Sequence, residues 1–246
     1  MSTRRKKNPR WYFSLRSPYS WFAYRDLTEK YPDVLDQIEW IPYWEPDEES
    51  TRLLSDAGVT LPVMPMHRSK NFYILRDARR WAHARGWHVT WPVDRAPHWE
   101  VSHLAYLAAE ERGLGREFVD LAYRARWNEG RDLAERETIA AIAGELGLDP
   151  ALADAVDDPD LRIKGVECLI AAYHDDAFGV PFFMHGREAF WGAERVGAFV
   201  AAVRGYDWDG ISDAPFTAPP FIATPSAVTR SAATPSAVAP HGSPQA

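Results

Sequence analysis

An aromatic and apolar run, Trp11-Tyr12-Phe13-Ser14-Leu15, stops at Ser17-Pro18, and helical spacing takes over at once. The run reads as a buried strand. Serine before proline marks a helix start: the serine side chain caps exposed N–H groups, and proline takes the first helical position, where its missing donor costs nothing. Tyr19, Trp21, Phe22, Tyr24 and Leu27 carry that helix to about Lys30, and strand character returns from Ile38 to Pro42. The chain therefore opens β-α-β, an order that favours a parallel strand pair joined by a right-handed crossover.

The texture then changes. Helical patterns cover Ser69–Arg85, Glu100–Arg112, Arg116–Asn128, Arg136–Leu146 and Leu161–Asp175, and Gly86, Gly113, Gly130 and Gly147 follow them as C-terminal caps. Asp149-Pro150 opens a further segment. Gly179-Val180-Pro181-Phe182-Phe183-Met184, a turn at Gly186 and Glu188–Trp191 predict a hairpin, followed by a last helix over about Ala193–Val203. Residues 10–44 and 176–205 are thus expected to form one α/β unit, interrupted by a wholly helical insertion over 45–175. A basic arm over 1–9, with Arg4-Arg5-Lys6-Lys7, precedes it. A tail over 206–246, rich in Pro, Ala, Ser and Thr, repeats Ala-Thr-Pro-Ser-Ala-Val at 223–228 and 233–238. Neither end carries enough apolar surface to offset its ordering entropy, so both are expected to be disordered.

With 46% hydrophobic residues in 246, the chain can bury one substantial core. A formal charge of −7 argues against nucleic acid as a partner, because phosphate neutralisation needs a basic face. The single cysteine, Cys168, removes intramolecular disulfides and cysteine-based metal cages, and its place on an apolar helical stripe predicts a buried, inert thiol. No run approaches the roughly 18 apolar residues of a membrane span, and no signal-peptide pattern opens the chain, so a cytoplasmic protein without membrane contact is expected. Gly113-Leu114-Gly115 lacks a third glycine and sits between helices, unlike a dinucleotide loop. His83, His88, His98 and His103 lack the paired spacing of a zinc protease and are expected at the surface or in packing, with no metal. Trp81, Trp87, Trp91 and Trp99 read as packing, or as walls of an aromatic substrate's cleft.

Ser17-Pro18-Tyr19-Ser20 carries the chemistry. A strand that turns directly into a helix puts free N–H groups and the positive end of the helix dipole around the Ser17 hydroxyl, which favours an anion there. A thiolate beside Ser17 would accept its proton as a hydrogen bond and gain the dipole, the effects that lower a thiol's pKa from about 8.5. Ser17 itself is a poor nucleophile, since no histidine stands at a recognisable activating spacing. The plain alternative is an N-cap worth about 1 kcal/mol. Val180-Pro181 is the second feature. An X–Pro bond is trans by default, but in thioredoxin-like folds the residue before a cis-proline offers its backbone N–H and C=O to an extended peptide.

These segments resemble a known family. Phe13-Ser14-Leu15-Arg16-Ser17-Pro18-Tyr19-Ser20, Phe178-Gly179-Val180-Pro181-Phe182-Phe183 and Phe190-Trp191-Gly192-Ala193-Glu194-Arg195, in that order, are similar to blocks of the 2-hydroxychromene-2-carboxylate isomerases and kappa-class glutathione transferases, relatives of DsbA. Arg80-Trp81-Ala82 with Trp91-Pro92 resembles a helix and loop of the same family. The likeness runs from about Trp11 to Val203 and implies an α/β, thioredoxin-like fold with a large all-helical insertion.

The resemblance also implies a site. Ser17 would be catalytic, bonding the sulfur of glutathione or another low-molecular-weight thiol. Val180, held by Pro181, would pair with the cysteinyl part. Glu194, where the family usually has aspartate, would face the γ-glutamyl ammonium group. Thr60 lies roughly where an asparagine near the sulfur is expected, and Ala193 replaces a hydrogen-bonding side chain. Tyr19, Trp81 and Trp91 would border the small-molecule substrate. The implied activity is thiol-dependent isomerisation of an unsaturated aromatic or polyketide-type carbonyl compound, by reversible thiolate addition. A transferase that releases the conjugate and a non-catalytic binding protein are the alternatives. The family also suggests a homodimer.

Overall fold

Four residues organise the sheet: Arg10, Trp11, Tyr12 and Phe13 are all buried and form one of its two inner strands, β1 (Arg10–Phe13). The computed structural model describes residues 8–62, 67–95 and 97–206, so the Arg4–Lys7 run and nearly all of the expected tail lie outside the described residues. β1 runs parallel to β2 (Glu39–Pro42), pairing Tyr12 with Ile41, and antiparallel to β3 (Phe182–His185), pairing Tyr12 with Phe182. β3 returns as β4 (Glu188–Trp191) around Gly186, whose φ of 61° lies in the left-handed region that a tight turn requires. The strand order is β2-β1-β3-β4.

Alternation along β1 sends side chains to opposite faces. On one face Trp11 stacks with Phe183 at 6.2 Å, and Phe183 with Phe199 at 4.7 Å. On the other, Tyr12, Ile41, Phe182 and Met184 pack with Ala172 and Ala177. That second face also holds a buried ion pair: Arg10 Nε donates to Asp175 at 2.5 Å, and the Tyr12 hydroxyl donates to the same carboxylate.

Helices α1 (Pro18–Lys30), α2 (Pro32–Leu35), α3 (Glu48–Asp56), α4 (Arg68–Ala84), α5 (Glu100–Glu110), α6 (Gly115–Tyr123), α7 (Arg136–Glu145), α8 (Pro159–His174) and α9 (Val196–Arg204) complete the described elements, with a π turn at Arg124–Asn128 and 3-10 turns at Pro150–Asp157 and Ala193–Arg195. Every residue of α5 from Glu100 to Ala109 is buried, as befits a helix that is apolar on nearly all sides. The predicted glycine caps Gly86, Gly113, Gly130 and Gly147 all take positive φ.

Two local differences from the sequence reading have physical reasons. The expected Arg116–Asn128 helix ends its α-helical part at Tyr123 and widens into a π turn over Arg124–Asn128, which local spacing does not distinguish. α3 lay unremarked in the sequence, although Asp47 caps it by accepting from Ser50 N–H at 2.8 Å. Val180-Pro181 is cis, the isomer of the thioredoxin-like arrangement raised for this segment by the sequence.

Candidate functional site

Ser17 has extended backbone, φ −87° and ψ 123°, which places it outside α1 as its N-cap. Its Oγ accepts from the Ser20 N–H at 3.2 Å, and Pro18 fills the first helical position. A hydroxyl has one proton and two lone pairs; among the described residues the Ser17 proton meets no acceptor. The N-cap and the anion-site readings are therefore compatible: the lone pairs serve the helix while the O–H stays free at its positive end. Ser20 is fully buried, and its hydroxyl accepts from the Ser14 N–H at 3.2 Å, tying the end of β1 to the first turn of α1.

Sheet register brings the second feature to the same place. Tyr12 pairs with Phe182, so Val180-Pro181, just before Phe182, reaches the end of β1 that leads into Ser17. Val180 is half-buried, and neither its N–H nor its C=O is hydrogen-bonded among the described residues. Pro181 is buried, and its carbonyl accepts from the Gly192 N–H at 3.0 Å, which draws the Ala193–Arg195 turn toward the site. Glu194 is exposed in that turn. Its carboxylate folds over Gly192, where a Cβ would lie 2.5 Å from either carboxylate oxygen; the φ of 105° likewise suits only glycine. Ala193 is buried in the same turn.

Tyr19 donates to Asp77 at 2.8 Å and meets Trp81 edge-to-face at 6.2 Å. Burial first, then the bond to Asp77, raises the Tyr19 phenol well above its ordinary range, and the charge of Glu194 adds to the effect. Trp81 stacks on Phe22 at 5.5 Å and so joins α4 to α1. Asp77 also holds Arg80, which lines an open groove of about 630 Å³ with Phe72, Arg76, Arg79, His83 and Trp91. Trp91 is 37% exposed and packs edge-on against Trp127. Thr60, by contrast, is exposed in the loop after α3, and no hydrogen bond among the described residues joins it to the Ser17 turn.

Two supporting residues were given no role at the site by the sequence. His103 of α5, expected as surface or packing, is completely buried behind the turn. Its Nε2 accepts from the Leu15 N–H at 3.2 Å and lies 3.3 Å from the Ser14 hydroxyl, so the ring proton sits on Nδ1 and goes to the Trp99 carbonyl at 2.7 Å. Burial drives His103 down to about 3, helped by the charges of Arg16 and Arg126 and opposed by the Trp99 bond. Arg126, 3% exposed, binds Asp94 through two 2.8 Å bonds and donates Nε to the Arg16 carbonyl at 3.4 Å. For His103 the available signal was a polar residue inside the otherwise apolar stretch Glu100–Ala109, since buried polar groups require partners. Cys168 lies on α8, and burial, reinforced by Glu110 and Glu167, pushes its thiol up to about 12.

Known proteins share this fold. Over 187 residues, 75% of this chain and 92% of the relative, the sequence is 26% identical to a 2-hydroxychromene-2-carboxylate isomerase from Sphingobium xenophagum. The fold matches a solved 2-hydroxychromene-2-carboxylate isomerase with a TM-score of 0.62 and 22% identity, covering 80% of this chain and 94% of that one. It also matches the cytosolic disulfide reductase DsbM from Pseudomonas aeruginosa, solved with GSH, with a TM-score of 0.56 and 18% identity over 80% and 97% of the two chains. A family model, the DSBA-like thioredoxin domain, matches residues 10–204. That match begins at the first residue of β1 and ends at the last of α9, and the chain belongs to the DSBA-like thioredoxin family.

Proposed function

We propose that the protein is a thiol-dependent isomerase of an unsaturated aromatic or polyketide-type carbonyl compound, with Ser17 at its centre. The observation that carries this reading is the Ser17 hydroxyl, whose lone pairs serve α1 while its proton remains available at the helix N-terminus. Glutathione or a similar small thiol fits the residues present: Ser17 offers a donor for the sulfur, the unbonded N–H and C=O of Val180 offer one rung of strand pairing, and Glu194 offers a carboxylate for an ammonium group. When bound, the thiol supplies a nucleophilic sulfur that adds to an activated double bond and leaves it unchanged in composition.

The protein's part is to hold that sulfur ionised and aligned. Ser17 donates to the anion, the positive end of the α1 dipole stabilises it, and Arg126, held by Asp94, fixes the Arg16 carbonyl behind the turn. Ser14, Ser20 and His103 keep Ser17 in place, so no reorganisation is needed at the moment of reaction. Tyr19 and the aromatic, arginine-lined groove on α4 offer a surface for a flat, anionic substrate. Disulfide exchange does not suit this chain: Ser17 and Ser20 carry hydroxyls, and the single cysteine is elsewhere.

The test follows 2-hydroxychromene-2-carboxylate spectroscopically with and without glutathione. The expected result is thiol-dependent conversion at unchanged mass, reduced by roughly a hundredfold in Ser17→Ala. A product heavier by one thiol identifies the transferase alternative, and thiol-induced stabilisation without conversion identifies a binding protein. Equal rates with and without thiol, or in Ser17→Ala, refute the reading.

A further inference from the structure

The start of α5 gathers a second set of polar groups. Asp47, His98 and Glu100 present ligand atoms that all lie within 4.8 Å of one another. Asp47 Oδ2 is 3.1 Å from His98 Nε2, and Glu100 Oε2 is 3.6 Å from the same nitrogen, beyond hydrogen-bonding distance. Glu100 is fully buried, yet its Oε2 has no hydrogen-bond partner among the described residues. Its Oε1 is used, accepting from the Asp47 N–H at 2.6 Å, so the carboxylate is fixed with its free oxygen toward the imidazole. A buried carboxylate oxygen without a partner is costly, and a fold retains one where something else satisfies it.

Charge points the same way. Arg162 donates to both oxygens of Asp47 and pairs with Glu49 at 3.2 Å. Asp47, Glu49 and Glu100 thus set three carboxyl groups against the one guanidinium of Arg162, an excess of oxygen ligands that suits a divalent cation. His98, 44% exposed at its side chain, gives the cluster an opening to water.

We propose that Asp47, His98 and Glu100 bind a divalent first-row transition cation of the zinc type, tying the β2–α3 loop to the beginning of α5. One imidazole nitrogen and two carboxylate oxygens are a borderline donor set that suits zinc, cobalt or manganese better than magnesium. The open side leaves room for water as a further ligand. Arg162 supports Asp47 from behind, as partners of metal-binding carboxylates do. The site's role is to brace the helix that carries His103.

The test uses the full chain, stripped with a chelator and titrated with zinc chloride by calorimetry and thermal melting. One equivalent is expected to bind and raise the melting temperature, as for any ligand held only by the folded state. His98→Ala, at a half-open position, and Glu100→Gln, which keeps the oxygen bonded to Asp47, are each expected to weaken binding at least roughly tenfold. Cobalt should give a visible absorption band in the parent protein and lose it in both variants. No binding by the parent protein, or undiminished binding in His98→Ala and Glu100→Gln, overturns the proposal.

Discussion

Leu15 donates its backbone N–H to Nε2 of His103 at 3.2 Å, across 88 positions of chain. This bond ties the apolar helix α5 to the turn that delivers Ser17, and it requires a neutral imidazole. The folded-state pKa of about 3 lies below the ordinary value, so the unfolded chain binds a proton that the folded one refuses. His103 therefore contributes stability that is complete above about pH 6.5 and is lost as the pH falls toward 3, at up to about 1.4 kcal/mol per unit. Denaturant unfolding of the parent and His103→Gln between pH 7 and 4.5 should show a steeper loss in the parent. Parallel curves would remove His103 as a source of acid sensitivity.

Replacing Ser17 with aspartate separates capping from thiol binding. Aspartate caps helices as well as serine and suits the dipole, so the melting temperature should stay within a few degrees of the parent, while Ser17→Ala loses about 1 kcal/mol. A fixed carboxylate at that point repels a sulfur anion. Glutathione binding by calorimetry should therefore vanish in Ser17→Asp, and retained affinity would show that the sulfur sits elsewhere.

Gly165 lies where α8 crosses α5. A Cβ there would stand 2.6 Å from Leu104 Cδ2 and 3.0 Å from Trp44, and Trp44 itself stacks on His103 at 5.0 Å. Overpacking of this kind costs about 1–3 kcal/mol, only partly offset by alanine's helix propensity of about 1 kcal/mol. Chemical denaturation of Gly165→Ala should report a net loss. A stabilised variant would mean that the two helices can move apart freely.

Cys168 should be a bystander. With its thiol pushed up to about 12, roughly one molecule in ten thousand carries a thiolate at pH 8. Iodoacetamide should label the native protein more than a hundredfold more slowly than the unfolded chain. Cys168→Ala should need added thiol for turnover to the same degree as the parent; a change in that requirement would point to an internal sulfur.

The helix starts and stops were legible because their causes are local. Pro18 and Pro150 open helical segments, and Gly86 and Gly113 take the positive φ that ends a helix. β1 could be read from its aromatic density, and the hairpin from Gly186. α2 was too short to announce itself over four residues. The π turn at Arg124–Asn128 shares its residue types with an ordinary helix, so nothing nearby in the chain marked it.

The site divides along the same line. The sequence by itself determined that Ser17 would cap a helix behind a buried strand, since neighbouring residues supply both conditions. Only the tertiary structure decided that His103 and Arg126 stand behind that turn, that Val180 comes beside it through the pairing of β3 with β1, and that Glu100 is buried next to His98. The reason is distance along the chain. A cap depends on residues three positions away, whereas a buried hydrogen bond between residues 15 and 103 exists only once α5 has packed under the sheet.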